Sequence, residues 1–319
     1  VEFSAATPEE RRAYYRREWS VRQVPDFIVS SIEAREFGFD HWGDGPRDRY
    51  NRFSSIRELE AFLRERAPFA AYTSVSFYEK PEKREGWLGA ELVFDIDAKD
   101  LPAKGCGCSP GEVCEACLEE AKEHLLVTRD ILSDLGLRRL RCVYSGRGYH
   151  LRVFDEEVMG IDSQVRAMIL DYVSGGVLPE GVAWRLRDGY TRVFKERAMG
   201  ILRRLDAEGL REMTGISIRK AAALEKKLRT VANELEDGDF STAARILKKK
   251  GLRDLLEGLR RYNAALLDGK VTVDIKRILR LPSSLHSAVS MKCMEVRDVE
   301  RFDPLRDAVP RFVEERRRG

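Results

Sequence analysis

The chain has 319 residues, with 57 Lys+Arg against 54 Asp+Glu for a net charge of +3, and 43% of it is hydrophobic. Such length and apolar content predict one large domain with a satellite, or two domains, and exclude general disorder. No stretch approaches the ~18 uninterrupted apolar residues of a spanning helix, and the opening VEFSAATPEERRAYYRREW does not read as a secretory signal.

Taken in chain order, residues 7–37 read as helix, with Thr7 as cap and Pro8, Glu9 and Glu10 in the first turn. Residues 55–66 (SIRELEAFLRER) form an amphipathic helix opened by Ser54 or Ser55. Alternation then predicts strands over 70–78 and 89–97, joined by a charged turn through Pro81. Residues 113–135 return to helix, and strands over 141–145 and 149–155 pinch around Gly146-Arg147-Gly148. From about 161 to 262 short Lys- and Arg-rich amphipathic helices replace strands, and at VTVD (271–274) the mixed pattern resumes. The expected fold class is therefore mixed α/β, with a mostly β core flanked by helices. Residues 1–160 and 263–319 would fold together around an inserted helical subdomain of 161–262.

Four of the six cysteines fall within twelve positions, Cys106, Cys108, Cys114 and Cys117. Without a secretory signal a disulfide framework is a poor reading. Four thiolates complete a tetrahedral shell, and Gly105, Gly107, Pro110 and Gly111 let the backbone aim the sulfurs inward, so the loop at 105–118 reads as a structural zinc site with no open position. Cys142 and Cys293, in apolar surroundings, read as core.

Asp95-Ile96-Asp97 ends an apolar strand. Residues two apart share a strand face, so the carboxylates would project together about 6.6 Å apart at a rise of ~3.3 Å per residue. Asp is strand-averse and the two charges repel, so a cation is implied, and oxygen ligands select Mg²⁺ or Mn²⁺. The plain alternative is a strand running into a polar loop with Lys99 as counter-charge. Ser145-Gly146-Arg147-Gly148-Tyr149-His150 is a glycine-rich turn whose amides, Arg147 and His150 can meet an anion, with Arg152 on the same strand face; it reads equally as an ordinary hairpin turn. Asp268-Gly269-Lys270-Val271-Thr272 precedes a basic strip through Arg277 and Arg280 to Ser283-Ser284-Leu285-His286, or is simply a turn before a solvated stretch. Jointly, carboxylates for metal with Arg, His and Gly turns for phosphate form the set used in two-metal nucleotidyl transfer.

In this order ELVFDIDAKD, the C-x-C-x5-C-x2-C loop, YSGRGYHLRVFD and DGKVTVDIKRILRLPSSLH resemble the successive motifs of the small catalytic subunit of archaeal and eukaryotic DNA primase, over roughly residues 10–290. Charged residues at 35% with two Gln and three Asn suit a heat-adapted, archaeal source. The resemblance implies a primase catalytic domain in which Asp95, Asp97 and Asp268 hold the metals, with Asp274 as rival for the third place. Asp268 is preferred because the family's carboxylate precedes a Val-Thr-like strand. It further implies that Ser145, Arg147 and His150 contact the nucleoside triphosphate, with Arg280 and His286 on phosphate. Arg35-Glu36-Phe37 and Arg49-Tyr50 resemble an early motif lining the same pocket, contributing Glu36 and Arg49. Cys108 stands where some relatives carry His, and Ser287-Ala288-Val289-Ser290 departs from the Lys-bearing run expected there.

The function so implied is primer synthesis on a single-stranded DNA template from nucleoside triphosphates, in DNA replication. Mg²⁺ or Mn²⁺ would be catalytic and Zn²⁺ structural, and a large primase subunit carrying an iron–sulfur cluster would be the partner, with no membrane. The expected location is the archaeal cytoplasm in association with the nucleoid, or the nucleus of a eukaryote. Lys248-Lys249-Lys250 would meet template phosphate or simply be solvated. The rival readings are a repair-type primase-polymerase, which would share the paired Asp but not the cysteine loop, and a non-catalytic zinc-binding nucleic-acid module.

Overall fold

The structure, a computed structural model, describes residues 3–109 and 111–318. It is mixed α/β, as the patterning predicts, and every strand pairing described is antiparallel. Strands β1 (Phe37–Asp40), β2 (Asp48–Asn51), β3 (Ala70–Ser74) and β9 (Ile278–Arg280) form one four-stranded sheet in the order β2-β1-β3-β9. Strands β6 (Leu92–Asp97), β7 (Leu140–Tyr144), β8 (Gly148–Val153) and β12 (Met294–Val296) form the second, in the order β12-β7-β8-β6. Two ribbons complete the set, β4 (Ser76–Lys80) with β5 (Glu85–Ala90) and β10 (Leu285–His286) with β11 (Met291–Lys292). Each four-stranded sheet thus combines strands that precede residue 160 with one that follows residue 263.

The helix Glu115–Asp134 buries Leu118, Ala121, Leu125, Thr128 and Leu132, spaced three and four apart, and this stripe covers the second sheet. Residues 161–262 contain the helices Ser163–Ser174, Gly189–Leu202, Ala207–Thr214, Ile218–Glu225, Leu228–Glu236 and Ser241–Ala265, and no strand. Their apolar faces join the same core cluster as the sheets. Buried Arg197 ties the block down, its guanidinium donating to His124 O, Thr128 Oγ1 (2.7 Å) and Val173 O.

Four expectations fail, each for a physical reason. The long helix over 7–37 breaks up. Pro8–Ala13 runs into a π turn, Tyr14–Glu18, then Ser20 caps a new 3₁₀ turn and Pro25 ends it, so that Phe37 begins a strand. The strand over 70–78 divides at Val75, and that over 89–97 at Glu91, because the chain passes there from one sheet to a ribbon or to the other sheet. Val75 N–H donates to Arg277 O and Glu91 N–H to Val75 O, at 3.0 Å each. Residues 271–274 are not extended. Asp268 accepts from Lys270 N–H and opens a short helix, Gly269–Val273, that packs on Ser163–Ser174, and this tertiary contact outweighs the β-branched run. Arg152, finally, does share the strand face of His150, but it is not open to an anion. It is fully buried, its Nη1 2.8 Å from Glu91, whose other oxygen pairs with Arg35. This Arg35–Glu91–Arg152 triad joins the segment before β1 to β8 across the interior.

Candidate functional site: a carboxylate cleft and a cysteine loop

Register builds the cleft. β6 and β8 pair with Asp95 opposite His150 and Asp97 opposite Gly148. Directly paired residues share a face, so both carboxylates, His150 and the Arg147 turn converge at one end of the second sheet. The Asp95 side chain is 17% exposed and that of Asp97 24%. Asp268 arrives from 170 residues downstream because its backbone N–H donates to Asp95 O at 3.0 Å. Asp274, at the other end of the short helix, is exposed, and its Oδ1 accepts from Lys276 N–H. Of the two rivals, Asp268 is the neighbour of Asp95.

Glycine is required twice in the turn. Gly146 has φ +100°, and a Cβ there would lie 2.5 Å from His286 Cβ; a Cβ on Gly148 would lie 2.2 Å from Ile96 O. Ser145 N–H donates to Gly148 O at 2.9 Å and closes the loop, while Tyr144 Oη donates to Gly146 O. Arg147 reaches back to Asp97 with Nη2 at 2.8 Å and Nε at 3.1 Å. Arg147, not Lys99, is thus the side chain that neutralises Asp97; Lys99 pairs with Asp100.

The opposite wall is β9 and the turn after it. Ile278, Leu279, Arg280, Arg277 and His286 line a cleft of ≈ 160 Å³ with Tyr72, Asp95, Asp97, Ser145, Arg147, His150 and Val271. Arg280 stands opposite Tyr72 in the register, its guanidinium 5.3 Å from the ring centre. The turn beyond is held from behind. Ser283 has φ +89° and is buried. Tyr14 Oη donates to Ser283 O (2.8 Å), Trp19 Nε1 to Ser283 Oγ (3.0 Å), and Leu285 N–H to Tyr15 Oη. The π turn that broke the expected helix is therefore a buried brace for the segment carrying Arg280 and His286.

Electrostatically the acids crowd one another. Burial, then the charges of Asp97 and Asp268, push the Asp95 carboxyl up to about 8, and Arg277 and Arg147 only partly offset them. His150 and His286 are held well below the ordinary histidine range, first by burial and then by neighbouring guanidiniums (Arg152 and Arg280 for His150, Arg280 and Arg147 for His286). Both are neutral at pH 7. His150 Nε2 lies 3.4 Å from Asp95, and both Nδ1 atoms are buried without partners.

Glu36 and Arg49 stand apart from the cleft lining. Glu36 is fully buried and accepts from Arg49 Nε (2.7 Å) and Arg84 Nε (2.7 Å). The Arg49 stem nevertheless packs over Gly38 beside the cleft residue Ile278. Sequence reasoning assigned no role to Tyr72, Arg84 or the brace. Their signal lay only in strand pairing, which one sequence does not display.

The second centre is the loop. Sγ atoms of Cys106, Cys108, Cys114 and Cys117 all lie within 4.8 Å of one another, with Cys106–Cys117 at 3.2 Å. Among the described residues this is the one set of three or more ligand atoms so tightly drawn, and four thiols in that space can hold a metal ion. Gly111 turns the loop at φ +87°; Pro110 lies outside the described residues. Cys142 and Cys293 are buried core, as expected.

A chain that folds two distant acidic segments against a guanidinium- and histidine-lined wall, next to a four-thiol loop, has the parts of a nucleotidyl-transfer enzyme. Residues 94–298 match the family model for the DNA primase small subunit. Three relatives are similar over almost their whole length, each described as DNA primase small subunit PriS. That of Methanothermobacter thermautotrophicus is 48% identical over 98% of both chains. Those of Methanobrevibacter smithii (44%; 98% and 99%) and Thermococcus kodakarensis (47%; 97% and 93%) follow. A solved polymerase domain of Mycobacterium tuberculosis ligase D with DNA is similar over 53% of this chain and 61% of its own, at 21% identity and TM-score 0.36, too slight a likeness to bear on the fold. The chain belongs to the DNA primase small-subunit family, and with that membership goes the activity class of a DNA-directed nucleotidyltransferase acting in replication.

Proposed function

We propose that this chain synthesises primers on single-stranded DNA from nucleoside triphosphates, with Asp95, Asp97 and Asp268 as the metal-binding carboxylates. The observation that carries this reading is the meeting of the three acids: Asp95 and Asp97 share one face of β6, and Asp268 is tied to Asp95 by its backbone N–H at 3.0 Å. Three hard oxygen donors drawn together suit Mg²⁺ or Mn²⁺. Such an ion supplies the charge that lowers the pKa of the attacking 3′-hydroxyl and offsets that of the departing pyrophosphate.

The chain's own side chains do the rest. Arg280 and Arg147 grip the phosphates, Arg147 being freed when Asp97 is neutralised by another cation. Neutral His150 and His286 donate hydrogen bonds without adding charge, and the Ser145 turn offers its hydroxyl. The 3′-oxygen attacks the α-phosphorus, and the bond from that phosphorus to the pyrophosphate oxygen breaks. Glu36 and Arg49 act from the edge of the site.

Four thiolates select zinc over harder ions, and the closed shell makes its role structural. The partner is a large primase subunit, and the protein works in the cytoplasm at the nucleoid; no helix among the described residues is long and apolar enough to cross a membrane. Residues 161–262 form an inserted helical subdomain, a reading supported by sheets that draw strands from both sides of it. The test is primer synthesis on a single-stranded template with Mg²⁺ or Mn²⁺ by the wild type and by Asp95→Asn. A folded Asp95→Asn protein that still makes primers would overturn the carboxylate assignment.

A further inference from the structure

The face of the first sheet does not end at the cleft. Direct pairing places Gly38, Tyr72 and Arg280 in one row across β1, β3 and β9, so all three lie on the same face. Arg49 and Ile278 both lie over Gly38 on that face, and Ile278 belongs to the cleft wall. One strand further out is Tyr50 on β2. Two guanidiniums lie near its ring, Arg84 at 4.9 Å and Arg49 at 5.8 Å from the centroid. Both arginines are held by the buried carboxylate of Glu36.

Tyr50 itself is built against preference. It has φ +65°, Arg84 has φ +56°, and the residue is half exposed (50%). A large aromatic in left-handed backbone is costly where asparagine or glycine would serve, and among the described residues its hydroxyl has no hydrogen-bond partner. The strain returns nothing to the core, since Tyr50 joins neither cluster of buried residues.

We propose that Tyr50, flanked by Arg84 and Arg49, is a stacking platform for a base of the single-stranded template where it leaves the cleft. An exposed aromatic face beside cations that follow the backbone is the chemistry by which single strands are held irrespective of sequence. Two guanidiniums sharing one carboxylate leave one net positive charge, which matches one phosphodiester rather than a triphosphate. Three strand spacings of ~4.8 Å separate β9 from β2, about 14 Å, room for roughly two nucleotides between the phosphate grip and the platform. The proposal rests on the primer-synthesis reading for its choice of ligand.

The test uses the full chain and a fluorescent single-stranded DNA oligonucleotide, with EDTA present so that binding is read apart from catalysis. Tyr50→Gly removes the ring and relieves the backbone, so the variant folds at least as well as the wild type. It should bind the oligonucleotide about 5- to 100-fold more weakly, while Tyr50→Phe binds as the wild type does. The KM for nucleoside triphosphate, measured at saturating template, should be unchanged in both. Wild-type oligonucleotide affinity in Tyr50→Gly overturns the platform, as does a raised KM for the nucleotide with oligonucleotide binding intact, which would give the ring to the incoming nucleotide. Primer synthesis by the wild type is scored separately, and its absence would overturn the functional reading, not the binding result.

Discussion

The carboxylate cleft and the cysteine loop, the two proposed metal sites, are built in opposite ways. In the cleft, strand register fixes the donors. Asp95 faces His150 across a ladder, Asp268 is anchored through its own backbone N–H, and the turn bearing His286 is clamped by Tyr14, Tyr15 and Trp19. The loop has no strand among its ligands and its first three cysteines are partly exposed; only Cys117, on the helix Glu115–Asp134, is buried. The cleft is thus preorganised with its charges in conflict, whereas the loop has no comparable scaffold, and a metal held by its four thiols would fix its geometry. The first arrangement suits chemistry on a bound ion and the second suits a staple.

That contrast can be broken by experiment. The largest effect expected is from Asp95→Asn, which should abolish primer synthesis while circular dichroism and thermal midpoint stay at or above wild type, because an amide removes the crowded charge. Cys117→Ser should do the reverse kind of damage, lowering zinc content by elemental analysis and destabilising the fold by a few kcal/mol, whereas Asp95→Asn leaves zinc content alone.

Gly146→Ala follows, since it forces a Cβ at φ +100° into the side chain of His286. A loss of one to a few kcal/mol in thermal or denaturant unfolding is expected, with a raised KM for nucleotide.

The pH dependence sharpens the comparison further. With its carboxyl pushed up to about 8, Asp95 binds more proton in the folded than in the unfolded state, whose value is the ordinary 3.8. Its contribution to stability therefore falls as pH rises from about 4 to about 8 and is level outside that window. In metal-free protein the difference between wild type and Asp95→Asn should widen over this range, and added Mn²⁺ should close it. An unchanging difference would mean the carboxyl is not crowded. The smallest effect is that of Trp19→Phe, which loses one buried hydrogen bond to Ser283 and should cost about 1 kcal/mol.

Much of this was legible in the sequence. Asp95-Ile96-Asp97 at the end of an apolar run told both the strand and the shared face, because a two-residue period leaves no other choice. The cysteine spacing told the loop, and Gly146 and Gly148 told the turn. Residues 7–37 misled because apolar periodicity there comes from Tyr14, Tyr15 and Trp19, buried as a brace and not as one helix face. Residues 271–274 misled because the cap Asp268 and the packing on Ser163–Ser174 outweigh β-branched propensity. Arg152 was read only as sharing the strand face of His150, and the sequence did not show that its charge is taken by Glu91, a partner 61 residues away.

The sequence by itself determined which chemical groups this protein has and how they repeat along an element, since alternation, glycine turns and thiol spacing act over a few residues. Only the tertiary structure decided that Asp268 rather than Asp274 meets Asp95, that Arg147 answers Asp97, and that Tyr50 stands one strand beyond Gly38. Those are pairings across tens to hundreds of residues, chosen by which apolar faces close the core together, and short-range patterning carries no term for them.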